Sequence, residues 1–247
     1  MALQKTAAII LHSVKSGEAD IIATVLTQND GKRKFIFKGI RKSRRRARSA
    51  TQIGTVLELS YYSHENKNMH IANEFTIQTQ HEVDNVLDNV LDKYYHLCTL
   101  LEVVNKTTGF NHHEYQLYEL LIAGIETLVA NNSTVHVSAF FLVHLLRFHG
   151  ILPDFRYCKG CGASDFTVFV LDDSDLTPLC KNCTNSSLFL SKAVKSFLFE
   201  ILQKKFSMID MEKYDNASIL DLLFYLIRFI EHYFHITIKS KEFVLKG

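Results

Sequence analysis

The stretch Ile21-Ile22-Ala23-Thr24-Val25-Leu26-Thr27-Gln28, then Asn29-Asp30-Gly31, then Lys32-Arg33-Lys34-Phe35-Ile36-Phe37-Lys38 decides how the first third of this chain folds. β-Branched and aromatic residues dominate both arms, and the Asn-Asp-Gly between them is a hairpin connection. In the second arm Phe35 and Phe37 point one way and Lys34, Ile36 and Lys38 the other, because side chains alternate across a strand. The phenylalanines are thus set to fill a core and the lysines to meet water. Outward from this hairpin, residues 6–12, 55–62 and 70–77 share its composition and are divided by turn signals. Five strands within residues 1–80 predict a small closed or nearly closed barrel. An OB-fold is the commonest candidate, and an SH3-like barrel fits the pattern as well.

Beyond residue 80 the period changes. Val83, Val86, Leu87, Val90, Leu91, Tyr94, Leu97, Cys98 and Leu101 recur at helical spacing, as do Leu117, Leu121, Ile125 and Leu128. A third helix is expected over 135–149, stopped by Gly150 with Pro153 just beyond. Val194, Phe197, Leu198, Ile201 and Leu202 mark a fourth. The fifth, over 219–234, is apolar on more than one side and so belongs at the centre of its unit. The expected class is α+β and multidomain: an OB-fold domain over 1–80, then an all-α domain over 81–247 interrupted at 158–183.

That interruption is Cys158-Lys159-Gly160-Cys161, eighteen residues, then Cys180-Lys181-Asn182-Cys183. Each CxxC lets two thiolates reach one ion from a tight turn, and two such pairs complete a closed tetrahedral shell. The residues predict one structural Zn2+ held by Cys158, Cys161, Cys180 and Cys183, ahead of a redox pair or unmetallated thiols. A shell of four thiolates has no open position for substrate. The fifth cysteine, Cys98, lies alone in a helical stripe.

Net charge over the 247 residues is only +2, but its distribution is uneven. Ten Lys or Arg fall between Lys32 and Arg48, and no acid occurs from Gly31 to Leu57. The rest carries 18 basic and 26 acidic residues, a balance of −8. Ten uncompensated cations repel one another unless a polyanion neutralises them. Lys34, Lys38, Arg41, Lys42, Arg44, Arg45, Arg46 and Arg48 are therefore the expected phosphate contacts, which are blind to base sequence. Tyr61, Tyr62 and His64 are either stacking surfaces for unpaired bases or half-buried barrel residues.

No phosphate loop, HExxH or GxSxG elbow is present, which favours binding over catalysis. No apolar run reaches about 18 residues, and the N-terminal run ends too soon for a signal peptide, so a cytoplasmic protein is expected.

Several segments in order resemble the RecO family of bacterial recombination mediators. They are Gly17-Glu18-Ala19-Asp20, Thr27-Gln28-Asn29-Asp30-Gly31, and Lys38-Gly39-Ile40-Arg41-Lys42-Ser43-Arg44. Leu146-Arg147-Phe148-His149-Gly150-Ile151-Leu152-Pro153, running on to Cys158 and Cys161, continues the likeness, and His232 with Lys239-Ser240 closes it. The resemblance implies a non-enzymatic, nucleoid-associated protein that binds single- and double-stranded DNA and anneals complementary strands. It also implies partnership with RecR and with the C-terminal tail of SSB, and through them help in loading the RecA filament. For that tail it implies an apolar pocket with a positive rim, for which Lys192, Lys195, Lys204, Lys205 and Arg228 are candidates. The competing reading is a zinc-containing RNA- or ribosome-associated OB-fold protein.

Overall fold

A computed structural model describes residues 3–62, 69–79, 90–110, 115–164, 169–171, 176–185 and 189–245. His64, Val83, Val86 and Leu87 lie outside the described residues.

The predicted hairpin is there. β1 (Leu3–Ser16), β2 (Asp20–Thr27) and β3 (Gly31–Phe37) run antiparallel in sequence. The Thr27 hydroxyl locks the β2–β3 turn: its Oγ1 donates to the Gly31 carbonyl (2.8 Å) and accepts from the Asp30 N–H (3.0 Å). Gly31 itself sits at φ +67°, the left-handed backbone that glycine adopts without steric cost. β1 is long because it serves two partners. It pairs with β2 over its second half and with β4 (Val56–Tyr62) over its first. A register slip between Ile10 and His12 marks a bulge that bends the strand where it changes partner.

The expected single strand over 70–77 is two strands. β5 (Met69–Ile71) pairs parallel with β3, and β6 (Glu74–Thr79) pairs antiparallel with β4. Between them the Ala72 N–H donates to the Ile36 carbonyl and the Asn73 N–H to the Ser60 carbonyl, both at 3.0 Å. The chain thus steps from the β3 edge to the β4 edge within two residues. The order β5-β3-β2-β1-β4-β6 has its two ends joined by that step, so the sheet closes on itself. This closure, with a parallel pair between the third strand and the last run, is OB-like and decides between the two barrels that the pattern allowed.

Ala8, Ile10, Ala23, Val25, Phe35, Phe37, Leu57, Leu59 and Tyr61 point inward at period two and form the barrel core. α1 (Val90–Thr107) lies beside β1, and α2 (Tyr115–Ala130) follows it. At Gly54 (φ +79°) a Cβ would come within 3.1 Å of Leu97, so the barrel backbone approaches α1 closely there. By compactness the chain divides into 3–129 and 130–245 of the described residues. By this measure α1 and α2 fall with the barrel, because α1 packs on it.

In the second unit α3 (Thr134–Phe148) ends as the sequence predicts. Gly150 turns left-handed (φ +70°), and the N–H groups of Gly150 and Ile151 return to the carbonyls of Arg147 and Leu146. β7 (Phe169–Leu171), β8 (Pro178–Leu179) and β9 (Phe189–Leu190) form a small sheet with β7 in the middle. α4 (Lys192–Gln203), α5 (Asn216–Phe234) and α6 (Lys241–Val244) complete the unit. Asp215 caps α5, its Oδ1 accepting the Ser218 N–H at 2.8 Å. Leu222, Leu223, Tyr225, Leu226, Ile227, Phe229 and Ile230 are all buried, so α5 is covered on most sides and packs on α3. Among the described residues no helix is long and apolar enough to cross a membrane.

Candidate nucleic-acid interface and metal centre

The cationic segment is an organised loop. Ile40 and Ala50, both fully buried in the barrel core, pin its two ends. Gly39 turns left-handed (φ +68°), and its N–H donates to the Asp20 carboxylate at 2.7 Å. The Arg41 N–H reaches the Ala19 carbonyl (2.9 Å), and its guanidinium reaches the Gly17 carbonyl (3.0 Å). Lys42 pairs with Glu18 at 2.7 Å. Further along, the Ser43 hydroxyl accepts the N–H groups of Arg45 (3.2 Å) and Arg46 (2.9 Å). The turn at 17–20 and the stretch at 38–44 are therefore two halves of one construction.

The predicted cations do not all share one place. Lys38, Lys42, Arg44, Arg45, Arg46 and Arg48 are exposed, and Arg41 is half-exposed. Arg45 and Arg46 line a groove of about 430 Å³ between the loop and β6, whose other walls include Phe75, Ile77 and Asn73. Arg46 also donates to the Lys38 carbonyl (3.3 Å), and its guanidinium lies 5.7 Å from the centre of the Phe75 ring. Lys34 is exposed on β3, 5.3 Å from the Phe110 ring. Lys32 is buried, its Nζ donating to the Asn105 carbonyl near the end of α1 (2.6 Å), so this cation secures a helix and faces no ligand.

The tyrosines divide. Tyr61 is a core residue: its ring meets Phe35 edge-on at 5.0 Å, and its hydroxyl donates to Asp30 at 2.7 Å. Burial first, and then the bond to Asp30, raise its pKa beyond the ordinary phenol range. Tyr62 is exposed. The aromatic ring that borders the arginines of the loop is Phe75. Its alternation with Ile77 marks an inward face, but nothing in the sequence places it beside Arg46.

The four cysteines converge. Their sulfurs lie within 4.8 Å of one another, with Cys161 and Cys180 at 3.7 Å. A tetrahedral ion with metal–sulfur bonds of about 2.3 Å needs sulfurs about 3.8 Å apart. A disulfide needs about 2.05 Å. The donor set is thus consistent with zinc. Burial opposes charge on Cys158, but the N–H of Cys180, 3.1 Å from its sulfur, and those of Cys161 and Gly160 outweigh it and bring its pKa down to about 6. Cys183, bonded first to Cys180 and then to the other two sulfurs, is pushed up to about 12. Gly160 lets the two turns close, since a Cβ there would sit 3.1 Å from both Cβ and Sγ of Cys183. The segment is tied to the helices by the Tyr225 hydroxyl, which donates to the Leu176 carbonyl (2.8 Å), and by Lys195, whose Nζ donates to the Ser164 carbonyl (2.8 Å).

A second groove, about 620 Å³, lies between residues 152–156 and α4. Leu152, Pro153, Leu198 and Phe199 line it, with Arg147 and Arg156 among its cations. Arg156 is held in place by both oxygens of Asp154 at 2.9 Å. Lys192, Lys195, Lys204, Lys205 and Arg228 do not line this groove: Lys204 pairs with Glu200, and Arg228 lies over Phe224.

The model of the family described as "Recombination protein O N terminal" matches residues 1–80, and the "Recombination protein O C terminal" model matches residues 89–242. The chain is similar to the DNA repair protein RecO of Leptospira biflexa, 29% identical over 216 residues that cover 84% of this chain and 82% of that one. It is similar to the DNA repair protein RecO of Caldanaerobacter subterraneus, at 23% identity over 100% of this chain and 99% of the relative. With that of Thermoanaerobacter sp. (strain X514) it shares 25% over 99% and 98%.

Proposed function

Because this chain belongs to the recombination protein O family, with a role in DNA repair and recombination, we propose that it binds single- and double-stranded DNA through its barrel and anneals complementary strands. The observation that carries this reading is the pinned cationic loop. Buried Ile40 and Ala50, with Asp20 beneath Gly39, present Arg44, Arg45, Arg46 and Arg48 to solvent beside an open groove. Cations held on a rigid frame lose little conformational entropy when a phosphate backbone arrives, and the released counterions drive association. Lys34, Lys38, Arg41 and Lys42 extend the same positive surface along β3 and its following turn.

Within this reading Cys158, Cys161, Cys180 and Cys183 hold one Zn2+, which braces the segment between α3 and α4. All four positions are occupied by thiolates, so the ion has no opening for a reacting water, and the protein acts by binding without turnover. The acidic, aromatic-ended C-terminal tail of SSB seats in the groove of Leu152, Pro153 and Phe199, its carboxylates meeting Arg147 and Arg156. With SSB displaced and RecR engaged, the complex helps to load RecA in the bacterial cytoplasm. Support for these partners comes from family membership together with the shape and charge of the groove.

The test is the triple variant Arg44→Glu, Arg45→Glu, Arg46→Glu, compared with wild type for binding to single strands, duplex and structured RNA, and for strand annealing. All three side chains are exposed, so folding should be unchanged. The expected result is a loss of at least tenfold in DNA affinity and a parallel loss of annealing. Wild-type affinity for DNA in that variant, or a wild-type preference for structured RNA, overturns the reading.

A further inference from the structure

Phe75 is an aromatic residue that the barrel core only partly absorbs. Its ring meets the buried Phe37 edge-on at 5.0 Å, yet it is only half-buried, and its remaining surface lines the groove beneath the cationic loop. Most of the barrel's other inward aromatics, among them Phe35, Phe37 and Tyr61, are fully covered. Around Phe75 the groove brings together Ile77 as a second apolar wall, Asn73 as a polar residue, and Arg45 with Arg46 as cations. An aromatic face at the mouth of a barrel, polar groups beside it and positive charge within 6 Å of it match the needs of a nucleotide unit: a flat π-surface, a hydrogen-bonding edge and a phosphate.

We propose that this groove is a pocket for one unpaired nucleobase, stacked on Phe75 with its flanking phosphates on Arg45 and Arg46. The proposal rests on the DNA-binding reading above and deepens it. The loop supplies affinity for any polyanion, and Phe75 supplies discrimination in favour of strands whose bases are free. A base in a duplex is stacked and paired, so it must be extruded at a cost before it can enter.

The test uses an oligothymidine, an abasic strand of the same length and charge, and a duplex of that length. Wild-type protein should bind the oligothymidine about tenfold more tightly than the abasic strand, the scale of one lost stacking contact. Phe75→Leu keeps an apolar group against Phe37 while removing the π-face, and its melting temperature reports whether the barrel is intact. This variant should bind both strands with the abasic affinity, and Phe75→Trp should restore the preference. Duplex affinity should be unaffected by either change. Equal binding of base-bearing and abasic strands by the wild type overturns the proposal and needs no variant to fold. So does a full base preference in a folded Phe75→Leu protein. In both cases the DNA-binding reading stands if the Arg44, Arg45 and Arg46 variant still loses affinity for every probe, and falls if it does not.

Discussion

Gly160 shows how much of the candidate metal centre rests on one missing methyl group. The two CxxC pairs can be read from spacing alone, and the four cysteines converge in a group that could hold a metal ion. What spacing does not reveal is the closeness of the approach. Gly160 has ordinary backbone angles, so it is there for space, and an added Cβ would press on Cys183 at 3.1 Å. Gly160→Ala should therefore weaken zinc retention against a chelator, and Cys161→Ser should drop the bound zinc well below one per chain and lower Tm by roughly 5–10 °C. Elemental analysis and a melting curve read both, and one zinc per chain in purified Cys161→Ser would show that the site lies elsewhere. Histidine is less legible in sequence, where twelve of them carry no sign of burial. His136 is buried, its Nε2 3.0 Å from the Tyr214 carbonyl and hence the protonated nitrogen. Burial lowers its pKa and those of His144 and His149 below the usual value. Between that lowered value and about 6.5 the unfolded chain binds more protons than the folded one, so stability rises with pH through this window. Tm should be flat above about pH 7 and fall as pH drops through about 6.5, and His136→Gln should make the fall shallower. A melting temperature that is level from pH 7 to pH 5 would contradict this.

At the scale of elements, the sequence is plainest where one periodicity runs without a break and least plain where an element changes partner. The β2–β3 hairpin, the stop of α3 at Gly150 and the burial of α5 on most sides follow from residue types alone. The split of the last barrel run does not. His70 to Ile77 reads as one strand because strand formers flank Ala72-Asn73-Glu74 on both sides, and only the rival edges of β3 and β4 decide that Ala72 and Asn73 bond in opposite directions. The cationic loop is a similar case. Its charge is evident at once, while its rigidity depends on Asp20, nineteen residues earlier, accepting the Gly39 N–H. Asp20→Ala removes that acceptor and should cost about 1 kcal/mol of stability, the usual net worth of one hydrogen bond. It should also weaken DNA binding several-fold with no change of charge on the loop, because the arginines then lose conformational freedom on binding. Asp20→Asn retains an acceptor and should keep most of both. Denaturant unfolding and a binding titration separate these outcomes. If Asp20→Ala binds DNA as wild type does, the frame of the loop is irrelevant to its function.

For the molecule as a whole, the sum of charge conceals its arrangement. A net +2 distributes as a cationic stretch from Lys32 to Arg48 on a remainder of −8, and the structure sets most of that stretch on one pinned loop and the strand before it. The acidic remainder repels a nucleic acid from other surfaces and so orients the encounter. Lys32, which is buried, is excluded from the set, and Lys42 must exchange Glu18 for a phosphate, so not every cation in the run counts equally. If about four of the exposed cations contact phosphate at once, log–log plots of affinity against salt should have a slope near −3 on single strands, at roughly 0.7 per contact, and near −3.6 on duplex, at roughly 0.9. Changing Arg44, Arg45 and Arg46 to Glu removes up to three of those contacts and should flatten the single-strand slope by about 2. Phe75→Leu, by contrast, should shift the whole line to weaker binding and leave its slope alone, since stacking releases no counterions. The two parts of the interface are thus separable by salt titration. A slope that stays near −3 after all three arginines are reversed would mean that the phosphate-binding surface lies away from this loop.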